Sequence, residues 1–175
     1  PAGRFTVEIV RDIIDAPATR GYMVDKSSDI GYIELRTFSQ KAGHDIETEV
    51  LSLANQGMKG LILDLRYNGG GLVTQAVEVA SKFIPSGAVM HVQGRDGQKK
   101  TLYTTGRRIT DVPIVVLVNE YTASASEIVS GALQDTKVAT VVGVPTFGKG
   151  LVQTLFPLSD GSGLAVTTQI YLTAG

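Results

Sequence analysis

Two short segments in the second half of the chain hold the side chains best suited to bond-breaking chemistry. Ala123-Ser124-Ala125-Ser126-Glu127 places hydroxyls in a run of small residues just after an apolar stretch. Thr146-Phe147-Gly148-Lys149-Gly150-Leu151-Val152-Gln153 places a lysine between two glycines, with a glutamine four residues on. Together they supply a hydroxyl nucleophile, an amine able to act as its base, and an amide able to orient that amine. This is the logic of a nucleophilic triad with lysine in place of histidine.

Each residue also has a plainer reading. A serine at a strand-to-helix turn commonly does no more than cap the helix. Thr122, Ser124 and Ser126 lie so close together that local chemistry does not rank them as nucleophiles. The setting is that of a nucleophile elbow, although the Gly-x-Ser-x-Gly spelling is absent. Lys149 has compact, apolar neighbours, and a lysine buried in such a setting would have its charged form disfavoured. The competing reading is a lysine that binds a phosphate or carbonyl in a glycine loop. A Walker loop is excluded, because Gly150 stands where that motif needs Ser or Thr. Gln153 shares a strand face with Lys149, or is simply an exposed polar strand residue. Asn68-Gly69-Gly70-Gly71 offers backbone N–H groups at a helix start, for a phosphate or an oxyanion, or is a plain loop. Asp64 and Arg66 read as an ion pair bracing that loop. His44 and His91 have no metal-ligand companions at useful spacing and read as structural or surface residues.

The elements that must position these residues follow from periodicity. Strand patterns appear at Phe5–Val10, Gly21–Val24 and Ile30–Arg36. Ala42, Ile46, Val50 and Leu53 recur at helical spacing, and Gly57 stops that helix. Gly60–Leu65 and Pro113–Val118 are continuous apolar runs, as expected of strands covered on both faces. Each leads through a tight turn into a helix, one with Leu72, Ala76, Val79, Ala80 and Phe83 on one face, the other from about Ser124 to Gln134. Ala88–Gln93 and Lys100–Thr104 form a hairpin around Gly94-Arg95-Asp96-Gly97. Val138–Val142, Leu151–Leu158 and Gly163–Leu172 complete the strands. Alternating strands and helices predict an α/β core with a mainly parallel sheet and β-hairpin additions. Ligands sit at the carboxyl ends of such strands, where the glycine and serine turns fall.

The chain has 175 residues, 43% hydrophobic and 19% charged, with a net charge of −1. That suffices for one domain with a substantial core. A near-neutral balance gives no electrostatic case for nucleic acid. With no cysteine, thiol catalysis, disulfides and thiolate metal sites are excluded. Both ends look cut, so residues 1–175 read as a fragment of a longer protein.

Several segments together resemble the carboxy-terminal processing proteases, also called tail-specific proteases. They are Gly31-Tyr32-Ile33, Leu63 to Gly71, Val118 to Ile128, Gly131-Ala132-Leu133-Gln134-Asp135 and Thr146 to Gln153. The resemblance runs in order along nearly the whole chain. It implies a serine peptidase with a Ser–Lys dyad: Ser124 as nucleophile, Lys149 as general base, Gln153 positioning the lysine. The oxyanion donors it implies are the N–H of Ala125 and one from the glycine loop, with Gly70 favoured among Gly69, Gly70 and Gly71. The implied fold is a crotonase-like and Clp-protease-like core of strand-strand-helix units. No cofactor is implied. The implied partner is the C-terminal segment of a protein substrate, captured with the help of a PDZ domain outside this chain. The implied location is extracytoplasmic: periplasm, cell envelope or thylakoid lumen. Ser130 departs from the small apolar residue expected there. Two other readings stay open, a non-catalytic peptide-binding module on the same fold and an acyl-CoA enzyme that would leave Lys149 and Gln153 without a role.

Overall fold

The computed structural model describes residues 4, 6–10, 16–25 and 27–175. Two sheets and three helices carry the site. In chain order the elements are β1 (Thr19–Met23), β2 (Ile30–Leu35), α1 (Ala42–Asn55), β3 (Gly60–Asp64), α2 (Val73–Ser81), β4 (Ala88–Gly94), β5 (Lys99–Tyr103), β6 (Ile114–Val118), α3 (Ala125–Asp135), β7 (Ala139–Gly143), β8 (Leu151–Pro157) and β9 (Gly163–Thr173).

The first sheet runs β1-β2-β3-β6-β7. β2, β3, β6 and β7 are parallel, and β1 is antiparallel at one edge. The second sheet runs β5-β4-β9-β8 and is antiparallel throughout. The α/β class with a mainly parallel sheet is therefore present, and the hairpins form a sheet of their own. α1 packs on β1 and β2, and α3 packs on β7. α2 lies between those two helices and reaches β4, while α3 touches β4 and β9. The helices thus join the two sheets. The core fills with Ile33, Leu35, Leu63 and Val116 from the strands and Ile46, Val50, Val79 and Leu133 from the helices, all fully buried.

Two expectations change. β3 and β6 read as strands covered on both faces, but Ile62, Val115 and Leu117 are only half-buried while their neighbours are buried. The helices pack on one face, so burial alternates as it does in a sheet with one open side. Of the strand expected over residues 5–10, Phe5 lies outside the described residues. Residues 6–10 belong to no strand, and Val7, Ile9 and Val10 stand in solvent. An alternating pattern builds a strand only where another strand receives it.

Candidate active site

The site forms where β3 and β6, neighbours in the first sheet, end side by side. Beyond β3, Arg66 closes back on Asp64. Its Nη2 lies 2.6 Å and its Nε 3.0 Å from Asp64 Oδ2, and Tyr32 Oη donates to the same oxygen at 2.6 Å. This is the ion pair expected from the sequence. Burial alone pushes the Asp64 carboxyl up, but the bonds from Arg66 and Tyr32 outweigh it and hold the group below the usual carboxylate range.

Asn68 then ties the glycine loop to the serine turn. Its Nδ2 donates to Leu35 O at 2.7 Å, and its Oδ1 accepts from Gly70 N–H at 2.9 Å. Its carbonyl accepts from Ala123 N–H at 3.1 Å and Ser126 Oγ at 3.0 Å. Asn119 does the same at the rim, where its Oδ1 accepts from Tyr67 N–H at 3.0 Å and Tyr121 N–H at 3.2 Å. The two tyrosine rings, both exposed, stack at 5.5 Å between centroids.

The bonds commit two of the three hydroxyls that local chemistry left level. Thr122 Oγ1 donates to Leu65 O at 2.9 Å, and Ser126 Oγ is spent on Asn68 O. Both residues are fully buried, whereas Ser124 is half-buried. Ser124 does occupy the N-cap position of α3, but with φ 57° and ψ −116°. Such a conformation costs a residue with a Cβ about 1–3 kcal/mol, and a strained strand-to-helix turn is also the setting a nucleophile elbow uses. Gly70, at φ 101°, packs directly against it. A Cβ there would lie 2.8 Å from Ala123 O and 2.9 Å from Ala125 N, so only glycine permits the approach. Ala125 starts α3, where backbone N–H groups lack helical partners.

Glu127, which the sequence reading passed over, organises the rest. Its Oε2 accepts from Ser124 N–H at 2.7 Å, Lys149 N–H at 3.0 Å and Tyr171 Oη at 3.3 Å. Its Oε1 accepts from Gly148 N–H at 2.6 Å and Thr146 Oγ1 at 2.7 Å. One carboxylate thus fastens the lysine loop to the serine turn. Burial first, then the charge and hydrogen bond of Glu127, push the Tyr171 hydroxyl well above its ordinary pKa. The sequence signal was present: an acidic residue three positions after an N-cap serine is half of a capping box. What sequence could not show is that the carboxylate also serves a loop nineteen to twenty-two residues away. Glu127→Gln keeps the shape but turns an amide N–H₂ toward donors. It is expected to cost about 2 kcal/mol, a fall in Tm of roughly 4–8 °C. In turnover assays kcat is expected to fall more than KM rises; unchanged melting and kcat would show that the loops are held otherwise.

A cleft of about 260 Å³ brings the three expected catalytic side chains together. Ser124, Lys149 and Gln153 line it with Gly71, Val73, Leu151, Val152, Leu155 and Ala165. Lys149 is half-buried and Gln153 exposed. The β8–β9 register shifts between Val152 and Gln153; such bulges re-aim side chains. No hydrogen bond among the described residues joins Ser124 Oγ to Lys149 Nζ or Lys149 Nζ to the Gln153 amide. Ser130 spends its hydroxyl inside α3, on Ser126 O at 2.9 Å. His44 is exposed and His91 pairs with Thr101 across β4 and β5, Nδ1 to Oγ1 at 2.8 Å. Among the described residues no cluster of three or more His, Asp or Glu is placed to hold a metal.

The pattern of peptidase family S41 matches residues 29–175. The chain belongs to this family. It is 47% identical over 144 residues to the carboxyl-terminal-processing protease of Synechocystis sp., covering 82% of this chain and 34% of the relative. It is 43% identical to carboxyl-terminal-processing peptidase 2, chloroplastic, of Arabidopsis thaliana, over 84% of this chain and 29% of that one. A solved structure, the photosystem II D1 C-terminal processing protease, superposes with a TM-score of 0.82 at 36% identity, covering 94% of this chain and 45% of that chain. The chain thus spans about a third of the length of these curated relatives. Among the described residues no helix is long and apolar enough to cross a membrane.

Proposed function

We propose that residues 1–175 form the catalytic core of a carboxy-terminal processing protease working by a Ser–Lys dyad. The observation that carries this reading is the single cleft holding Ser124, on its strained turn, together with Lys149 and Gln153. Lys149 Nζ, as the base, takes the proton of Ser124 Oγ as the oxygen attacks a peptide carbonyl. The protonated lysine then gives that proton to the departing amine. Water, deprotonated by the same lysine, hydrolyses the acyl-enzyme and regenerates the serine. Gln153 holds the amine in line through its amide oxygen.

Ala125 N–H and Gly70 N–H are the oxyanion donors in this reading, each worth roughly 3 kcal/mol. Gly70 N–H is engaged with Asn68 Oδ1 at rest. It therefore shares or exchanges that acceptor when the oxyanion forms. The family resemblance adds a crotonase-like core, a PDZ domain elsewhere in the full-length protein, substrates cut near their C-termini and an extracytoplasmic location.

The test is covalent. In the full-length protein a fluorophosphonate is expected to label Ser124, found by peptide mass mapping, and to stop cleavage of an unstructured polypeptide. Label that never reaches Ser124 would instead favour a peptide-binding module without catalysis.

A further inference from the structure

Tyr171, near the end of β9, reaches both the lysine loop and the serine turn. Its backbone N–H donates to Gly150 O at 3.0 Å. Its hydroxyl lies 3.4 Å from Ser124 O and 3.3 Å from Glu127 Oε2, one hydrogen shared between two acceptors. The half-buried ring lines a cavity of about 360 Å³ with Glu127, Thr146, Gly148 and Lys149. Tyr171 does not line the cleft that holds Ser124 and Gln153. The carbonyl it reaches matters because of what shares its peptide. Ser124 C=O and Ala125 N–H belong to one planar unit, and no described peptide bond is cis, so the two point in opposite directions. Ala125 N lies toward the glycine loop, where a Cβ on Gly70 would come within 2.9 Å of it. Ser124 O lies toward Tyr171 and also accepts Ile128 N–H at 3.0 Å. Whatever fixes that oxygen fixes where the Ala125 N–H aims.

We propose that Tyr171 is a positioning residue for the reaction: its hydroxyl, by holding Ser124 O, aims the Ala125 N–H at the oxyanion. The proposal rests on the protease reading above, in which that N–H is an oxyanion donor. A strained backbone conformation persists only where its surroundings hold it. Ser124 is held at its N–H by Glu127 and at its C=O by Tyr171. The resting bonds of the tyrosine are long, and bonds that serve catalysis tighten in the transition state. A donor on the carbonyl also polarises the peptide and makes the N–H at its other end a stronger donor. The contribution therefore grows as negative charge develops and belongs to kcat, not to substrate binding. Burial and the neighbouring Glu127 keep the hydroxyl protonated well past the usual tyrosine range, so it stays a donor.

The test compares Tyr171→Phe with the parent in the full-length protein. It uses a peptide that the parent cleaves and a boronic acid built on the same peptide, which forms a tetrahedral adduct with a nucleophilic serine. The variant is expected to lower kcat by about 3- to 10-fold, to weaken boronate binding by the same factor and to leave KM unchanged. The loss is expected to be the same at every pH below about 10, because the hydroxyl does not titrate there. Tyr171→4-aminophenylalanine, which puts an N–H donor where the hydroxyl was, is expected to restore the rate. Unchanged kcat, a loss carried by KM, or a loss that the amino group does not restore overturns the proposal. So does failure of Tyr171→Phe to fold, which makes the hydroxyl a structural tie. Fluorophosphonate labelling of the parent separates the two levels. A parent labelled at Ser124 and cutting, beside an equally fast Tyr171→Phe, removes the role of Tyr171 alone; a parent neither labelled nor cutting removes the protease reading with it.

Discussion

Replacing Ser124 by glycine is expected to abolish proteolysis and stabilise the protein in one step. The two effects have separate causes. Ser124 sits at φ 57° and ψ −116°, a region that residues with a Cβ avoid and glycine enters freely. Relief of about 1–3 kcal/mol of strain is partly offset by the greater freedom of glycine in the unfolded chain, about 0.5–1 kcal/mol. Loss of a serine cap to glycine adds only a few tenths of a kcal/mol. A net gain of about 1 kcal/mol raises Tm by roughly 2–4 °C in a protein of this size. If Ser124 is the nucleophile, kcat/KM is expected to fall at least about 10⁴-fold, the remainder being what oxyanion donors and binding supply. Thermal melting and steady-state kinetics on the full-length protein measure both. A lower Tm would mean that the turn stores no strain; activity within about tenfold of the parent would remove Ser124 as nucleophile.

Lys149→Arg gives the second large effect, and it is more informative than alanine. Arginine keeps the positive charge and much of the reach but does not release a proton in proteins. If Lys149 works as a base, the arginine variant is expected to be as inactive as Lys149→Ala, with kcat lowered by about 10²- to 10⁴-fold. If the lysine merely supplied a positive charge, arginine would preserve most of the rate. Both variants keep the Lys149 backbone N–H bonded to Glu127, so the loop should stay in place. Comparing their melting curves with the parent checks this.

Much of the fold was legible because its helices and strands obey strong periodicities. α1, for example, begins at the predicted residue, and Gly57 just past its end has φ 89°. Alternation at Phe5–Val10 misled because a strand needs a partner that a local pattern does not contain. The apolar runs of β3 and β6 misled for a related reason. Side-chain type shows that a face tolerates burial, while the packing of α1–α3 decides which face receives it. At the site, local chemistry supplied the cast but did not separate the hydroxyls, and Ser124 stood out only through the family resemblance. Thr122 and Ser126 spend their oxygens on Leu65 and Asn68, contacts across fifty-seven and fifty-eight positions that no local pattern reveals. The wider part of Glu127 was hidden in the same way, since its longer bonds reach into another loop.

The stacked pair Tyr67 and Tyr121 gives the protein an optical signature. The chain has no tryptophan and six tyrosines, so its near-ultraviolet spectrum is dominated by tyrosine. Tyr67 belongs to the glycine loop and Tyr121 to the serine turn, and their rings lie 5.5 Å apart at 20°. Rings this close couple their transitions, and the coupling fades as the loops separate. A second pair, Tyr22 and Tyr32 at 4.9 Å, is fixed by the β1–β2 ladder and provides a constant background. Near-ultraviolet circular dichroism therefore reads the joining of the glycine loop and the serine turn in unlabelled protein, with a peptide added or the medium changed.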